Sequence, residues 1–206
     1  MPFQTDNYQV VRNAISQDLC TFLFDYVKLK KRAVGFLYKY SSIEQQSMLG
    51  SFGDDMIPNV YCNYADFAME TLLDRLTPLM EEETNLELSP TYSYMRVYEK
   101  GTELFKHRDR PSCEISTTLN LGGDHWPIFV EPDIQVDLAP GDMLIYKGNV
   151  LEHWRDRFEG NECIQVFLHY NTKNGQFIKD NKFDNRPFLG LPPAIYEGYK
   201  KWSKRV

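Results

Sequence analysis

Hydrophobic and polar residues alternate in two different ways along this chain, and the change comes near residue 90. Before it, the segment NYQVVRNAI alternates like a strand, and QDLCTFLFDYVKLKKR carries an apolar stripe at helical spacing. Ser16 stands before the stripe as an N-cap, and the cationic residues at its other end suit the C-terminal end of a helix dipole. The chain is therefore predicted to open with a strand followed by a helix.

A second helix is predicted from apolar residues that recur at helical spacing, namely Met69, Leu72, Leu73, Leu76 and Met80. Pro78 lies inside this pattern, and its missing N–H predicts a kink or break there. Residues 40–60, between the two helices, are polar and contain Gly50 and Gly53. This composition favours a mobile segment and makes residues 40–60 the candidate for a lid, which the sequence alone does not decide.

From residue 91 onward, short runs rich in β-branched and aromatic residues are separated by turns that carry Gly, Pro, Asp and Asn. These runs are TYSYMRVY, CEISTTLNL, WPIFVE, IQVDL, DMLIY, VLEHWR and CIQVFLHYN. Seven short strands at this spacing are typical of a closed or sandwich-like β architecture, and the two helices are expected to pack on one face of a sheet. The predicted fold class is mainly β with flanking helices (α+β).

A single domain is expected over residues 1–206, because 42% hydrophobic residues in a chain of this length provide one substantial core. Its predicted parts are a strand with supporting helices at 1–90, a β core at 91–171 and a surface-wrapping tail at 172–206. Aromatic residues make up 14% of the chain, which favours sheets and a lined pocket over a helical bundle. No feature of the sequence indicates an oligomeric state.

Charge and targeting signals narrow the possible partners. The formal net charge of −6 argues against a general nucleic-acid binder, because neutralising phosphates needs a dense field of Lys and Arg. No signal peptide is recognisable at the start of the sequence, and no run of about 18 apolar residues predicts a membrane span. Four scattered cysteines without C-x-x-C spacing predict buried, reduced thiols. We therefore predict a cytoplasmic protein with no membrane partner.

The candidate chemistry lies in the polar segment FKHRDRPSCEIS, which contains His107 and Asp109. A histidine with an acid two residues later is a weak signal alone, but alternate residues of a strand point the same way. His153, on a later strand, adds a second imidazole. Two histidines and one carboxylate on one face of a metal leave positions open and are the ligand set of non-haem Fe(II) oxygenases. The predicted metal ligands are His107, Asp109 and His153.

The two remaining histidines are considered for the same role. His125 lies in the Gly-rich turn GGDHWP, where an exposed loop residue is the expected outcome. His169 lies on the last strand in phase with Gln165 and Phe167, which favours a pocket or core histidine over a ligand.

These segments, in this order, resemble the 2-oxoglutarate and Fe(II)-dependent oxygenase superfamily, and within it the prolyl 4-hydroxylase-like branch. NYQVVRNAISQDLC resembles the entry strand and helix of that branch, and SYMRVYEKGTELFKHRD its tyrosine, glycine turn and H-x-D motif. TTLNL, LAPGDMLIY and EHWR resemble the strand, turn and distal-histidine segment that follow. The resemblance covers roughly residues 7 to 171 and implies a double-stranded β-helix (jelly-roll) core.

The resemblance also implies cofactors and site residues. His107, Asp109 and His153 would hold Fe(II), and 2-oxoglutarate and O₂ would be co-substrates, with ascorbate as an optional reductant. Tyr98 matches the pocket tyrosine before the H-x-D turn, and Thr118 the polar residue that helps to hold the distal carboxylate of 2-oxoglutarate. One departure concerns the last strand, where many members carry Arg or Lys about ten residues after the distal histidine. Here the segment reads Asn161, Glu162 and Cys163.

The basic group for the distal carboxylate must therefore come from elsewhere, since a buried carboxylate without a partner is costly. Arg155, two residues after His153, is predicted to face the same interior and to bind the carboxylate with two parallel hydrogen bonds. Gln165 can add a neutral donor. Alternatively, Arg155 pairs with Asp156 or Glu152 on the surface, and the anchor is Arg96 or Arg110.

Three function classes follow from these residues. The first is a dioxygenase that hydroxylates an unactivated C–H bond, with a peptidyl proline or another protein side chain favoured as substrate over a free amino acid or small metabolite. The aromatic residues Tyr94, Tyr98, Trp154 and Phe167 are candidates for a peptide groove. The second is a metal-binding β-barrel without turnover, a binder or sensor. The third is an interaction module in which the H-x-D is accidental.

Overall fold

The structure is a computed structural model that describes residues 2–41 and 48–193. Its helices are α1 (Pro2–Asp6), α2 (Gln17–Tyr40), α3 (Phe67–Thr84) and α4 (Ile178–Asn181). Its strands are β1 (Tyr8–Val11), β2 (Ser51–Gly53), β3 (Pro58–Tyr64), β4 (Leu88–Glu99), β5 (Leu104–His107), β6 (Ile115–Gly123), β7 (Ile128–Val130), β8 (Ile134–Val136), β9 (Met143–Tyr146), β10 (His153–Arg155) and β11 (Glu162–Thr172). Short 3₁₀ turns lie at Pro111–Cys113 and Lys182–Asn185.

The strands form two antiparallel sheets that face each other. The larger sheet has the order β1-β9-β6-β11-β4-β3-β2, and the smaller has the order β5-β10-β7-β8. Successive strands from β4 to β11 alternate between the sheets, except that β7 and β8 form a hairpin. This is the double-stranded β-helix, or jelly roll, and the predicted fold class is confirmed.

Side chains of the larger sheet alternate between the helices and the space between the sheets. On β11, Ile164, Val166 and Leu168 lie in the core beneath the helices, together with Leu23 and Val27 of α2. Cys163 and Phe167 belong to a different core cluster, because neighbouring side chains of a strand point to opposite faces. Burying each such aliphatic side chain contributes about 1.5–3 kcal/mol. The other face of the sheet is left for polar residues of the site.

Both predicted helices form, but neither ends as expected. Ser16 caps α2 through its Oγ, which accepts a hydrogen bond from the Leu19 N–H, yet the helix runs on to Tyr40. Its cationic segment therefore lies in mid-helix. Pro78 does not break α3, which runs on to Thr84. In the turn before Pro78, the hydroxyl groups of Thr77 and Tyr170 both donate to the Leu73 carbonyl.

The segment that is the candidate for a lid is partly sheet. Residues 42–47 lie outside the described residues, whereas β2 and the start of β3 add two strands to the edge of the larger sheet. The sequence pattern did not predict them, since β3 alternates poorly and begins with proline. Of the described residues of this segment, those of the turn 54–57, between β2 and β3, face the cavity described below.

The start of the tail is held on the core by a buried ion pair. Arg186 donates through Nη2 to Glu70 Oε2 (2.9 Å) and to the Thr91 carbonyl (2.8 Å), and both charged side chains are buried. Glu70 also accepts from the N–H and hydroxyl of Ser93. The tail thus covers the first turn of α3 and the first half of β4. The described residues stop at 193.

Among the described residues, no helix has both the length and the apolar character needed to cross a membrane. The cytoplasmic location stays a prediction.

Candidate active site

Neighbouring strands of the smaller sheet bring two of the predicted metal ligands together. His107 ends β5, His153 begins β10, and the two residues are direct partners in the antiparallel register. Directly opposite residues of such a pair share one face of the sheet. Their ring centroids are 4.2 Å apart.

Asp109 reaches the same point from a loop, which differs from the prediction that it shares a strand with His107. β5 ends at His107, and the Asp109 N–H donates to the Gly148 carbonyl at 2.8 Å. Its Oδ1 then lies 3.8 Å from His107 Nε2 and 3.6 Å from His153 Nε2. One ligand atom from each residue lies within 4.8 Å of the others, close enough to surround one ion.

Backbone carbonyls orient both imidazole rings. His107 Nδ1 lies 2.8 Å from the Phe105 carbonyl, and His153 Nδ1 lies 3.1 Å from the Leu151 carbonyl. A carbonyl only accepts, so each Nδ1 carries a proton, and each Nε2 is the nitrogen that faces Asp109. Histidines that bind metals are held in this way by their second nitrogen.

Electrostatics set the same protonation states that metal binding requires. Burial alone raises the pKa of Asp109, but the hydrogen bond and charge of His153, with smaller contributions from His169 and Ser116, outweigh it and hold the pKa at about 2. Burial lowers the pKa of His107, and the neighbouring His153 adds to this effect. Near neutral pH the site therefore holds a carboxylate and a neutral His107 imidazole, as metal ligands must be.

Gly148 makes room for the carboxylate and was not predicted from the sequence. A Cβ at this position would overlap Asp109 Oδ2 and would lie 2.6 Å from both the Cys113 carbonyl and Ser116 Oγ. Only glycine leaves space for this close approach. The one sequence signal was a glycine in the turn between DMLIY and the distal histidine.

Replacing Gly148 by alanine is expected to displace Asp109 and lower Fe(II) affinity by about 10- to 100-fold, the range for changes that support metal ligands indirectly. An anaerobic Fe(II) titration measures this. Gly35→Ala in α2 is the matched control, because a Cβ there meets only the Phe52 ring at 3.3 Å. Equal Fe(II) affinity in the two variants would contradict the role of Gly148.

The other histidines behave as the sequence indicated. His125 is an exposed loop residue whose Nε2 lies 2.7 Å from Asp137 Oδ1. His169 is buried at the cavity, and its Nδ1 lies 2.9 Å from Ser116 Oγ. Asp109, Cys113 and His169 form a second group with metal-like spacing. Burial raises the pKa of the Cys113 thiol to about 12, so the thiol of the metal-free protein is protonated.

A cavity of about 240 Å³ opens beside the His107, Asp109 and His153 cluster. Acidic residues of the turn 54–57 and aromatic residues of the larger sheet surround it. Its lining comprises Asp54, Asp55, Met56, Tyr92, Tyr94, Arg96, Leu104, His107, Asp109, Ile128, Tyr146, His153, Phe167 and His169.

Arg155 is fully buried between the sheets and is not among the described residues that line the open cavity. Its guanidinium contacts neutral groups: Nη1 donates to the Trp126 carbonyl, Nη2 donates to Thr118 Oγ1 at 3.3 Å, and the charged carbon lies 5.0 Å from the Trp126 ring. Nε is buried without a hydrogen-bond partner. Burial lowers the pKa of Arg155, because desolvation disfavours its charged form.

The alternative surface pairing of Arg155 is wrong, since no ion pair among the described residues includes it. Asp156 and Glu152 are not its partners. The other two candidate arginines do have acidic partners: Arg96 binds Asp54 through Nε and Nη2 (2.9 and 2.7 Å), and Arg110 binds Asp184 through Nη2 at 2.8 Å. Of the three, only Arg155 leaves a buried positive charge uncompensated, and such a charge calls for an anion.

The remaining predicted co-substrate residues gather around this guanidinium. Thr118 and Gln165 lie on the inner face of the larger sheet, where Thr118 Oγ1 donates to Gln165 Oε1 at 2.9 Å. Thr118 Oγ1 also accepts the hydrogen bond from Arg155, so the pair lies beside the guanidinium. Tyr98 is fully buried, and its ring packs edge-on against Trp126 at 4.8 Å. Their roles toward a co-substrate stay predictions.

The predicted aromatic groove is only partly present. Tyr94 and Phe167 line the cavity, and Tyr98 is buried behind it. Trp154 points to the opposite face of the smaller sheet, where it stacks on Phe129 with centroids 5.6 Å apart. This was foreseeable, because Trp154 alternates with His153 along β10.

Known proteins share this architecture. No protein-family sequence model and no curated protein sequence matches the chain. Among solved structures, a prolyl-4-hydroxylase from Pseudomonas putida has a TM-score of 0.61 at 14% identity, over 84% of this chain and 96% of that one. HygX from Streptomyces hygroscopicus, solved with nickel and 2-oxoglutarate bound, has a TM-score of 0.60 at 12% identity, over 85% and 86% of the two chains.

A third similar structure is the viral collagen prolyl hydroxylase of Paramecium Bursaria Chlorella virus-1, in complex with 2-oxoglutarate. Its TM-score is 0.54 at 12% identity, over 80% of this chain and 95% of that one. The chain has the fold of the 2-oxoglutarate/Fe(II) oxygenases. The resemblance expected from the order of motifs is thus confirmed for the fold. Within this oxygenase fold, the histidine and aspartate cluster lies between the two sheets beside the open cavity.

Proposed function

We propose that the protein is an Fe(II)- and 2-oxoglutarate-dependent dioxygenase that hydroxylates an unactivated C–H bond. The observation that carries the proposal is the combination of two features on one strand. His153 converges with His107 and Asp109 on a common point, and two residues later Arg155 provides a buried guanidinium with no acidic partner. Residues that served only the stability of the fold would need neither the converging metal ligands nor a buried guanidinium without an acidic partner.

The residues suit the metal by their chemistry. His107 Nε2, His153 Nε2 and Asp109 Oδ1 would hold Fe(II), with nitrogen and oxygen donors on one side and open positions toward the cavity. Bound Fe(II) supplies the oxidation, in which O₂ places one oxygen atom in the substrate C–H bond and the other in succinate as 2-oxoglutarate loses CO₂. The chain's own part is to orient the imidazoles and to keep the carboxylate ionised.

The co-substrate would lie between the metal point and Arg155. Side chains two residues apart on a strand are separated by about 6.6 Å, so a short dianion can bridge them. The distal carboxylate would form two hydrogen bonds to the Arg155 guanidinium, with Thr118, Gln165 and Tyr98 around it. This pairing would relieve the cost of the buried charge.

For the substrate we propose a peptidyl proline or another side chain in an extended peptide. Tyr94 and Phe167 in the cavity wall offer aromatic surface, on which a proline-rich segment docks with little ordering entropy. A surface groove of about 390 Å³ runs between residues 56–60 and 99–105 and shares Met56 with the cavity. Flanking residues of a peptide would lie there. Prolyl hydroxylases are among the similar structures.

A panel of proline-containing peptides and free amino acids tests this proposal. With Fe(II) and 2-oxoglutarate, a peptide is expected to gain about 16 Da, one oxygen atom, with succinate formed in equal amount. A structure of the similar protein HygX contains hygromycin B, so small molecules are tested as the comparison group. Turnover of small molecules alone would contradict the proposed peptide substrate but would still support the proposed dioxygenase activity. Tight metal binding without succinate under any condition would instead favour the non-catalytic binder or sensor.

A further inference from the structure

A hydrogen-bonded chain connects Asp109 to a residue that the proposed mechanism does not use. Ser116 and His169 are direct partners in the register of β6 and β11, on the inner face of the larger sheet. Ser116 Oγ lies 2.9 Å from Asp109 Oδ2, 3.0 Å from the Cys113 carbonyl and 2.9 Å from His169 Nδ1. Asp109 Oδ2 is the oxygen that faces away from the two histidine ligands.

The number of protons available in this hydrogen-bonded chain determines which group donates and which accepts in each bond. The serine hydroxyl has one hydrogen and two lone pairs, while the carboxylate and the carbonyl can only accept. A hydrogen bond to a charged carboxylate is roughly twice as strong as one between neutral groups, so the hydroxyl hydrogen goes to Asp109. Ser116 Oγ is then left as an acceptor for His169, whose Nδ1 must carry its ring proton.

His169 is neutral in this environment. Burial lowers its pKa to about 4, against smaller opposing effects of Asp109 and Asp184. A neutral imidazole protonated at Nδ1 has a lone pair at Nε2. Among the described residues, the structure gives Nε2 no hydrogen-bond donor, and the ring lines the cavity with Tyr92 packed at 4.5 Å between centroids.

We propose that His169 is a substrate-positioning residue, fixed by Ser116 as the Nδ1–H tautomer so that Nε2 accepts a hydrogen bond from an N–H or O–H group of the substrate. The inference rests on the proposed function and deepens it by naming what the substrate must present. A backbone amide beside the target residue meets the requirement in a peptide. Arg96, a basic residue of the cavity wall, is already paired with Asp54.

The tautomer can be measured without any turnover. In the Zn(II)-loaded, diamagnetic protein labelled with ¹⁵N-histidine, His169 Nδ1 is expected to show the shift of a protonated nitrogen and Nε2 that of a bare one. His169→Asn identifies its signals by their loss. A proton on Nε2 would overturn the proposal, because that nitrogen would then donate into the cavity.

Two substitutions of His169 distinguish the role of its Nδ1 from the role of its Nε2. Asparagine places its amide near Nδ1, and glutamine places its amide near Nε2. His169→Asn is expected to keep the visible charge-transfer absorption of the anaerobic Fe(II)·2-oxoglutarate complex. Its KM for the best substrate of the panel should rise about 3- to 10-fold, the effect of losing one hydrogen bond, with product per succinate reduced.

His169→Gln is expected to do the reverse: KM stays near the wild-type value while the absorption band shifts, because Ser116 loses its donor. His125→Asn serves as the control, since His125 pairs with Asp137 on the surface. Unchanged KM in both His169 variants would overturn the substrate contact. If the wild type turns over no member of the panel, the proposed substrate class is wrong, and the nitrogen shifts alone decide the inference.

Discussion

Replacing Asp109 by alanine is expected to abolish tight Fe(II) binding while leaving the fold intact. Asp109 Oδ1 lies 3.8 Å from His107 Nε2 and 3.6 Å from His153 Nε2 and gives the cluster its negative charge. Changes that act only indirectly on a metal site cost about 10- to 100-fold in affinity, so loss of the ligand itself should exceed 100-fold. Anaerobic Fe(II) titration measures the affinity, and thermal unfolding of the metal-free protein checks the fold.

Three histidine variants are the controls for this result. His153→Ala should match Asp109→Ala, whereas His125→Ala should bind Fe(II) as the wild type does, because its ring is bonded to Asp137 at the surface. His169→Ala should retain a measurable part of the affinity, since it acts on Asp109 only through Ser116. Metal loss in His125→Ala or His169→Ala as complete as in His153→Ala would show that the ligand set is wrong.

Strand periodicity explains how much of the site could be predicted. Because alternate residues of a strand share a face, His153 and Arg155 could be placed in one interior from the letters HWR alone. The same rule places Trp154 outside, where the structure has it. Asp109 could not be placed in this way, since its position depends on a hydrogen bond from its N–H to the carbonyl of Gly148, 39 residues later.

Non-local pairing also explains what was missed in the fold. β2 is short and ends in glycine, β3 begins with proline, and both become strands because the edge of β4 pairs with β3. Local propensity says little about such edge strands. The end of α2 was missed for a related reason, as the helix continues past Arg32 with Val34 buried in the core.

The departure at Cys163 has a structural counterpart. The resemblance placed a basic residue near this position on the last strand, in the larger sheet. The structure instead has Arg155 reaching across from the smaller sheet to Thr118, beside Gln165, whose amide donates to Cys163 Sγ at 3.2 Å. Burial raises the pKa of the Cys163 thiol, while the nearby charge of Arg155 opposes this effect. A positive charge thus occupies the same region of the interior from the opposite sheet.

Arg155→Ala is expected to weaken 2-oxoglutarate binding by about 2–5 kcal/mol, the cost of removing one partner of a desolvated charge pair. Fe(II) affinity should stay near the wild-type value, because His107, Asp109 and His153 do not bond to Arg155. Calorimetric titration of the Zn(II)-loaded protein with 2-oxoglutarate measures the first, and metal titration the second. Arg96→Ala and Arg110→Ala are the comparison variants. If either of them weakens 2-oxoglutarate binding more than Arg155→Ala does, the carboxylate is anchored by that arginine instead.

Arg155→Met separates an anchor from a structural arginine by the sign of its effect on stability. Without co-substrate, the buried guanidinium is uncompensated, so an apolar side chain of similar length should leave the Tm unchanged or raise it. With 2-oxoglutarate at 100 times the Kd, binding raises the free energy of unfolding of the wild type by about 2.7 kcal/mol. The free energy of unfolding of Arg155→Met should rise by almost nothing at that concentration. If Arg155→Met instead lowers the Tm without co-substrate and keeps the full gain with it, Arg155 serves the core through Trp126 and Thr118, and the distal carboxylate binds elsewhere.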